Sequence, residues 1–244
     1  MELKLKLKPH QISAIRKMHN GCILCGGTGS SKAITGLAYY LIQNGGKLDP
    51  MTKMKNPKDL YIITTAKKRD SGEWIGDMSW FYLTSDDKTK IYDHKVVIDS
   101  WNNIKKYSDV QNSFFIFDEQ RVVGYGAWTK SFLKIAKANE WILLSATPGD
   151  NYMDYMPVFI ANGFYKNKSE FTAEHCVYSR FSKFPQIERF IGTERLNRLR
   201  RRVLVDMPYE KPAVQNHEDV WCSFDKEAYK DLMKNRFDYE KGEP

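Results

Sequence analysis

Cysteine is scarce in this chain of 244 residues: Cys22, Cys25, Cys176 and Cys222 are all it has. So few thiols cannot staple a chain this long, which excludes a disulfide framework and implies a reducing, cytoplasmic setting. Cys22 and Cys25 make one C-x-x-C, but no second pair or nearby histidine completes a zinc set, so both read as small residues of a core strand. His10, His19, His94, His175 and His217 are scattered without metal-ligand spacing and read as surface or structural. A long charge-free apolar run is lacking and mean hydropathy is −0.56, which argues against a membrane-spanning helix and a membrane partner. The first residues do not read as a secretory leader either. "MELKLKLKPH" alternates Leu with Lys or Glu, the pattern of a half-exposed strand. Internal repeats and low-complexity segments are absent.

What is present suits a sizeable globular unit. Apolar residues make up 42%, enough for one large domain or one domain with an extension. Basic residues number 38 against 30 acidic, a net charge of +8. The excess is concentrated: between Tyr178 and Arg202, eight Arg or Lys accompany only Glu188 and Glu194. Such a cluster fits a polyanionic partner better than an evenly solvated helix face.

Five apolar, β-branched or aromatic runs read as buried strands: 21–25, 60–65, 95–99, 113–117 and 141–145. Helical segments over 32–43, 67–80 and 128–138 lie between them. Alternation of strand and helix predicts a parallel sheet covered on both faces, with ligands beyond the carboxyl ends of its strands. After Pro148 the chain is rich in aromatics and arginine with little strand signal, so 149–202 reads as mostly helical. Two prolines in 206–219 suggest a linker, and a short strand and an amphipathic helix follow.

Three short motifs fall at predicted strand ends. Residues 22–37, "CILCGGTGSSKAITGL", have the outline of a phosphate loop: strand, glycine turn, lysine, helix. Backbone N–H groups of Gly27, Thr28, Gly29 and Ser30 can converge on phosphate oxygens at a helix N-terminus, and Lys32 can reach the terminal phosphates. Two positions depart from G-x-x-x-x-G-K-[ST]. Ser31 stands where glycine allows close approach, and Ala33 stands where a hydroxyl ligates Mg²⁺. Thr35 lies about 200° round the helix from that position and cannot replace it. In "FFIFDEQ", Asp118 and Glu119 end an apolar strand, where paired carboxylates are costly unless used. Asp118 suits Mg²⁺ held through water, and Glu119 suits polarisation of an attacking water. In "WILLSATPGD", Ser145, Ala146 and Thr147 end a further strand and could couple the carboxylates to movement of a neighbouring lobe. Trp74, Trp80, Trp128 and Trp141 read as packing residues. Trp101 reads as a candidate for base stacking.

Taken in this order and spacing, the three motifs resemble the first RecA-like lobe of superfamily 2 helicases and translocases. The likeness spans nearly the whole chain. "LRRRVLVDMP" (199–208) is similar to the stretch that leads from lobe one toward lobe two in Swi/Snf-type translocases. The combination of "DEQR", "GAW", "LSATPGD" and "NGFYKN" is similar to compact phage-encoded DEAD/DEAH-type helicases. The resemblance implies an α/β RecA-like P-loop lobe over 1–150, a helical arginine-rich extension over 151–205, and a linker with the start of a second lobe over 206–244. It implies an ATP- and Mg²⁺-dependent motor on nucleic acid, with DNA the expected partner. The second lobe with its arginine finger would lie outside this chain, as a natural truncation or an excised piece. Little turnover is then expected of these residues by themselves. Gln11 is implied to read the adenine. Thr65, Lys67 and Lys68 (motif Ia) and Ser100, Trp101 and Asn102 (motif Ib) are implied to contact the nucleic-acid backbone, joined by Arg198, Arg200, Arg201 and Arg202. A phage origin would place the protein in a bacterial cytoplasm. The competing reading is a nucleic-acid-binding or regulatory module that keeps the fold and has lost turnover. A metabolic P-loop kinase is disfavoured by the S-A-T motif and the basic cluster.

Overall fold

Side-chain alternation along the central strands sets the layers. In the computed structural model, which describes residues 6–48, 51–86, 94–119, 125–182, 184–209, 223 and 225–235, successive strand residues enter two separate cores. Leu24, Ile62, Phe114, Ile116, Ile142 and Leu144 pack on one side. Ile23, Tyr61, Ile63, Phe115, Phe117, Trp141 and Leu143 pack on the other. A period of two with both faces apolar is the signature of a sheet buried on both sides.

That sheet has six strands, all paired in parallel. They are β1 (Ile23–Cys25), β4 (Leu60–Thr64), β5 (Val96–Ser100), β6 (Phe114–Asp118), β7 (Glu140–Ser145) and β10 (Leu204–Asp206), in the order β10-β1-β7-β6-β4-β5. Helices α1 (Pro9–Lys17), α2 (Lys32–Gln43) and α4 (Glu73–Ser79) supply Ala14, Leu37 and Trp74 to the first core. Helices α5 (Ala127–Ala138), α6 (Tyr152–Ala161), α7 (Lys168–His175) and α8 (Thr193–Val203) supply Phe132, Phe159, Phe171 and Leu196 to the second. The α/β architecture, a parallel sheet between two helical layers, is the one the sequence predicts.

Four details differ from the sequence reading. The helix expected over 67–80 is two, α3 (Ala66–Asp70) and α4, because Gly72 turns left-handed between them at φ 74°. The segment 149–202 is not all helical: β8 (Cys176–Tyr178) and β9 (Ile187–Phe190) form an antiparallel hairpin. Leu204–Asp206 follows α8 without a loop and becomes the edge strand of the main sheet, with Ile23 opposite Leu204 and Cys25 opposite Asp206. A small hairpin, β2 (Lys47–Leu48) and β3 (Met51–Thr52), had no signal. Residues 1–5 of the alternating N-terminal stretch lie outside the described residues. Its remainder is not strand, because Pro9 opens α1 and the Gln11 side chain closes a capping box with the Lys8 N–H.

The chain divides into two compact units, Met1–Glu210 and Lys211–Pro244. In the second, α9 (Lys226–Asn235) is the expected amphipathic helix, with Tyr229 and Met233 exposed. The strand expected just before it and most of the expected linker lie outside the described residues. Among the described residues no helix is long and apolar enough to cross a membrane.

Candidate functional site

The loop between β1 and α2 is shaped by close backbone approach. A Cβ at Gly26 would meet Ser30 Oγ at 2.6 Å and Met207 Cε at 3.1 Å, so only glycine fits. Ser30 is buried and ties the turn by donating from Oγ to the Gly27 carbonyl at 2.7 Å. The Gly26 N–H donates to the Ser145 carbonyl at 3.2 Å, which fastens the loop to the S-A-T strand end. Gly29 has φ 83°, and Ser31, the N-cap of α2, has φ 61° and ψ 45°. Left-handed backbone costs an L-residue roughly 1–2 kcal/mol. Ser31 therefore holds the conformation that the motif's glycine holds freely, and its side chain makes no capping bond in return. Lys32 Nζ donates to the Gly26 and Gly27 carbonyls at 2.6 and 3.1 Å, arching over the loop. Burial depresses its ammonium, the Asp118 carboxylate opposes this, and Lys68 adds to it.

Facing the loop, β6 ends in Asp118, which is 2% exposed. Its Oδ2 accepts from Thr64 Oγ1 at 2.9 Å and from Lys68 Nζ at 2.7 Å. The Lys68 ammonium also lies over the Trp74 ring, 5.6 Å from its centroid. Lys68, expected on the nucleic acid, is thus paired with the buried carboxylate. The physical reason is register: β4 and β6 are adjacent and in step, so the first turn of α3 stands directly over the end of β6. Glu119 leaves the strand at φ 54°.

The segment expected to act as motif Ib is largely interior. Ser100 and Trp101 are 2% exposed, and Trp101 stacks on Phe117 and donates from Nε1 to the Asp118 carbonyl at 2.9 Å. This corrects the expectation that the Trp101 ring stacks on bases: it is a core residue that fixes the end of β6. Ser100 is likewise withdrawn from a backbone contact, whereas Asn102 is exposed. The sequence reading missed Asp99. Its carboxylate accepts from Asn103, Tyr107, Arg69 and the Ser100 N–H. Burial raises this carboxyl, but the hydrogen bonds from Asn103, Tyr107, Ser100 and Arg69 outweigh burial and bring it down to about 2.

Gln11 is 3% exposed and spends its amide internally, accepting from the Lys8 N–H and donating to Thr35 Oγ1 at 3.1 Å. Thr35 is fully buried and donates to the Ser31 carbonyl, so its hydroxyl is withheld from the loop. Cys22 is buried and its thiol is pushed up to about 11 by that burial, and burial raises Cys25 as well, which suits packing residues.

One cleft of about 770 Å³ gathers Thr28, Gly29, Ser31, Lys32, Ala33, Thr65, Lys67, Lys68, Asp118, Glu119, Ser145 and Ala146. Thr147 is beside it, its N–H donating to Ser145 Oγ at 3.1 Å. The loop, the carboxylates and the S-A-T segment therefore converge at the carboxyl ends of β1, β6 and β7. Two carboxylates without a sequence signal, Glu73 and Asp77 of α4, also line it. Burial raises the Asp77 carboxyl; Lys68 opposes this, while Glu73 and Asp118 add to it. Arg198, Arg200, Arg201 and Arg202 do not line this cleft. Arg198 and Arg201 are exposed, Arg200 lies over the Tyr155 ring and Arg202 over the Phe164 ring. Among the described residues no three acidic, imidazole or thiol side chains converge as a metal set.

No protein-family profile and no curated protein matches this sequence. Solved structures do. The Sulfolobus solfataricus SWI2/SNF2 ATPase core, determined in complex with dsDNA, superposes with a TM-score of 0.59 at 15% identity, over 84% of this chain and 45% of that one. The Pyrococcus furiosus Hef helicase domain gives a TM-score of 0.45 at 16% identity, over 70% of this chain and 40% of that one. This chain thus corresponds to less than half the length of either. Together with the six-stranded parallel sheet, the first superposition shows that the chain has an α/β, RecA-like fold.

Proposed function

We propose that this chain is the ATP-binding lobe of a nucleic-acid motor of the superfamily 2 type, acting on DNA. The observation that carries the reading is the convergence of the Gly26–Ala33 loop, Asp118–Glu119 and Ser145–Thr147 on one cleft. Loop amides and the N-terminus of α2 would cradle phosphate oxygens, and Lys32 would leave the Gly26 carbonyl to meet them. Glu119 would orient the attacking water. The exposed Arg198 and Arg201 would serve DNA phosphates, as would Asn102.

The magnesium ion expected at Asp118 is a poor fit to the residues present. Ala33 offers a methyl group, the Thr35 hydroxyl is committed to Ser31 and Gln11, and an ammonium already stands 2.7 Å from the Asp118 Oδ2. No arginine among the described residues lines the cleft, so a second RecA-like lobe would have to bring the cation that stabilises charge on the γ-phosphate. The alternative, a nucleotide-binding module without turnover, is favoured by Ser31, Ala33 and the Lys68–Asp118 pair.

The test is titration of ATP and of duplex DNA into the chain, followed by DNA-stimulated phosphate release with a second RecA-like lobe supplied. The motor reading requires that ATP binding is lost in Lys32→Ala and that DNA stimulates release when both lobes are present. Binding of both ligands with no release in either state would establish the module.

A further inference from the structure

We infer that the Lys68 ammonium takes the place of the divalent cation in this site, so that the chain binds a metal-free nucleoside triphosphate. The inference rests on the nucleotide reading above and concerns which form of the nucleotide is bound.

Three independent features meet at one point. The first is the pair itself. Asp118 is buried, so its charge needs a counter-charge, and Lys68 supplies it at 2.7 Å. The second is the supply of ligands. The hydroxyl of a P-loop Ser or Thr is replaced by the methyl of Ala33, and the Thr35 hydroxyl further along the same helix is fully buried and bonded elsewhere. The third is how firmly Lys68 is held. It sits in the first turn of α3, where its own N–H bonds to the Thr65 hydroxyl at 3.3 Å. Its neighbour Arg69 is pinned to Asp99 at 3.2 Å, and the Trp74 ring backs its ammonium. A surface lysine free to sample solvent has none of these restraints.

The same helix brings Lys67 to the cleft wall, so Lys67 and Lys68 present two positive charges to the space in front of the loop. Thr64 completes the arrangement by donating to the oxygen of Asp118 that Lys68 also holds. Phosphate oxygens entering the cleft would then be met by Lys32 from the loop side and by the Lys68 ammonium from the carboxylate side.

Titration of an ATP analogue into the full chain, in excess EDTA and in excess Mg²⁺, decides the matter. The wild type should bind about equally in both, within roughly twofold. Lys68→Met should weaken binding in EDTA by roughly ten- to a hundredfold, the size of one charge-assisted hydrogen bond. Lys68→Arg should retain binding, which also serves if the methionine variant does not fold. Ala33→Ser combined with Lys68→Met should bind in Mg²⁺ and not in EDTA. The inference is overturned if the wild type binds at least about tenfold more tightly with Mg²⁺, or if a folded Lys68→Met binds as well as wild type in EDTA. Those outcomes leave the nucleotide reading standing. Failure of the wild type to bind in either condition overturns both.

Discussion

At position 31 a serine occupies backbone that glycine holds without strain, and its side chain gives nothing back. Ser31→Gly should therefore stabilise the chain despite the entropy glycine returns to the unfolded state, by roughly 0.5–1 kcal/mol in a denaturant titration. Asp99 shows the opposite case, a residue with more partners than its sequence context announces. Its carboxyl is held at about 2, below the usual 3.8. A depressed carboxyl contributes stability that is present above the unfolded value and is lost as pH falls through the folded one. Asp99 should thus contribute about 2 kcal/mol near neutrality, with the loss running from about pH 4 down to about pH 2. Asp99→Asn should flatten that acid limb when unfolding free energy is measured against pH. An unchanged limb would mean that Arg69, Asn103 and Tyr107 hold the segment without the charge.

At the scale of elements, α8 divides its arginines between two tasks. Arg195, Arg200 and Arg202 lie over the Tyr165, Tyr155 and Phe164 rings, Arg195 and Arg202 remaining exposed, while Arg198 and Arg201 face solvent. Neutralising Arg198 and Arg201 together should leave the melting temperature in place and reduce the salt slope of duplex DNA binding by about 2. Arg200→Gln should instead cost stability, on the order of 0.5–1 kcal/mol, through its ring contact. A salt slope unmoved by the first pair would make α8 a solvated face. The residue after β10 ties this helix to the site: the Met207 N–H donates to the Cys25 carbonyl at 2.7 Å, and its Sδ lies 3.4 Å from Thr35 Oγ1. The arginine helix and the Gly26–Ala33 loop are therefore one step apart along the sheet edge.

At the scale of the whole molecule, the cleft joins the Gly26–Ala33 loop and its Lys32 to the Asp118–Glu119 pair, with no arginine among its described residues. Where such an arginine has been weighed in phosphoryl transfer, it is worth about 10³–10⁵ in rate. The loop departures should cost about 1–3 kcal/mol of binding, at most about a hundredfold. The arginine therefore outweighs the loop departures. Residues 1–244 by themselves should accordingly release phosphate very slowly, even with Ser31→Gly and Ala33→Ser introduced. Supplying a second RecA-like lobe should raise DNA-stimulated release by orders of magnitude. Rapid DNA-stimulated release by the chain alone would show that its own residues complete the site.

The layered α/β fold and the three strand-end motifs, the loop among them, were legible in the sequence because each is written locally. An apolar run of five or six residues, a glycine turn and a terminal carboxylate pair keep their meaning wherever the chain folds them. The tertiary structure alone decided which side chains meet. Lys68 reads as one basic residue among several until β4 and β6 are placed in register, which sets it on Asp118. Trp101 looks like an aromatic in a binding segment until β5 turns it inward under the same carboxylate. Leu204–Asp206 is too short to read as a strand until β1 offers it an unpaired edge. Glu73 and Asp77 carry no motif and reach the site only because Gly72 reverses the chain between α3 and α4. In the first three cases the deciding interaction joins residues far apart in the chain, and its energy depends on a distance that composition and spacing do not contain.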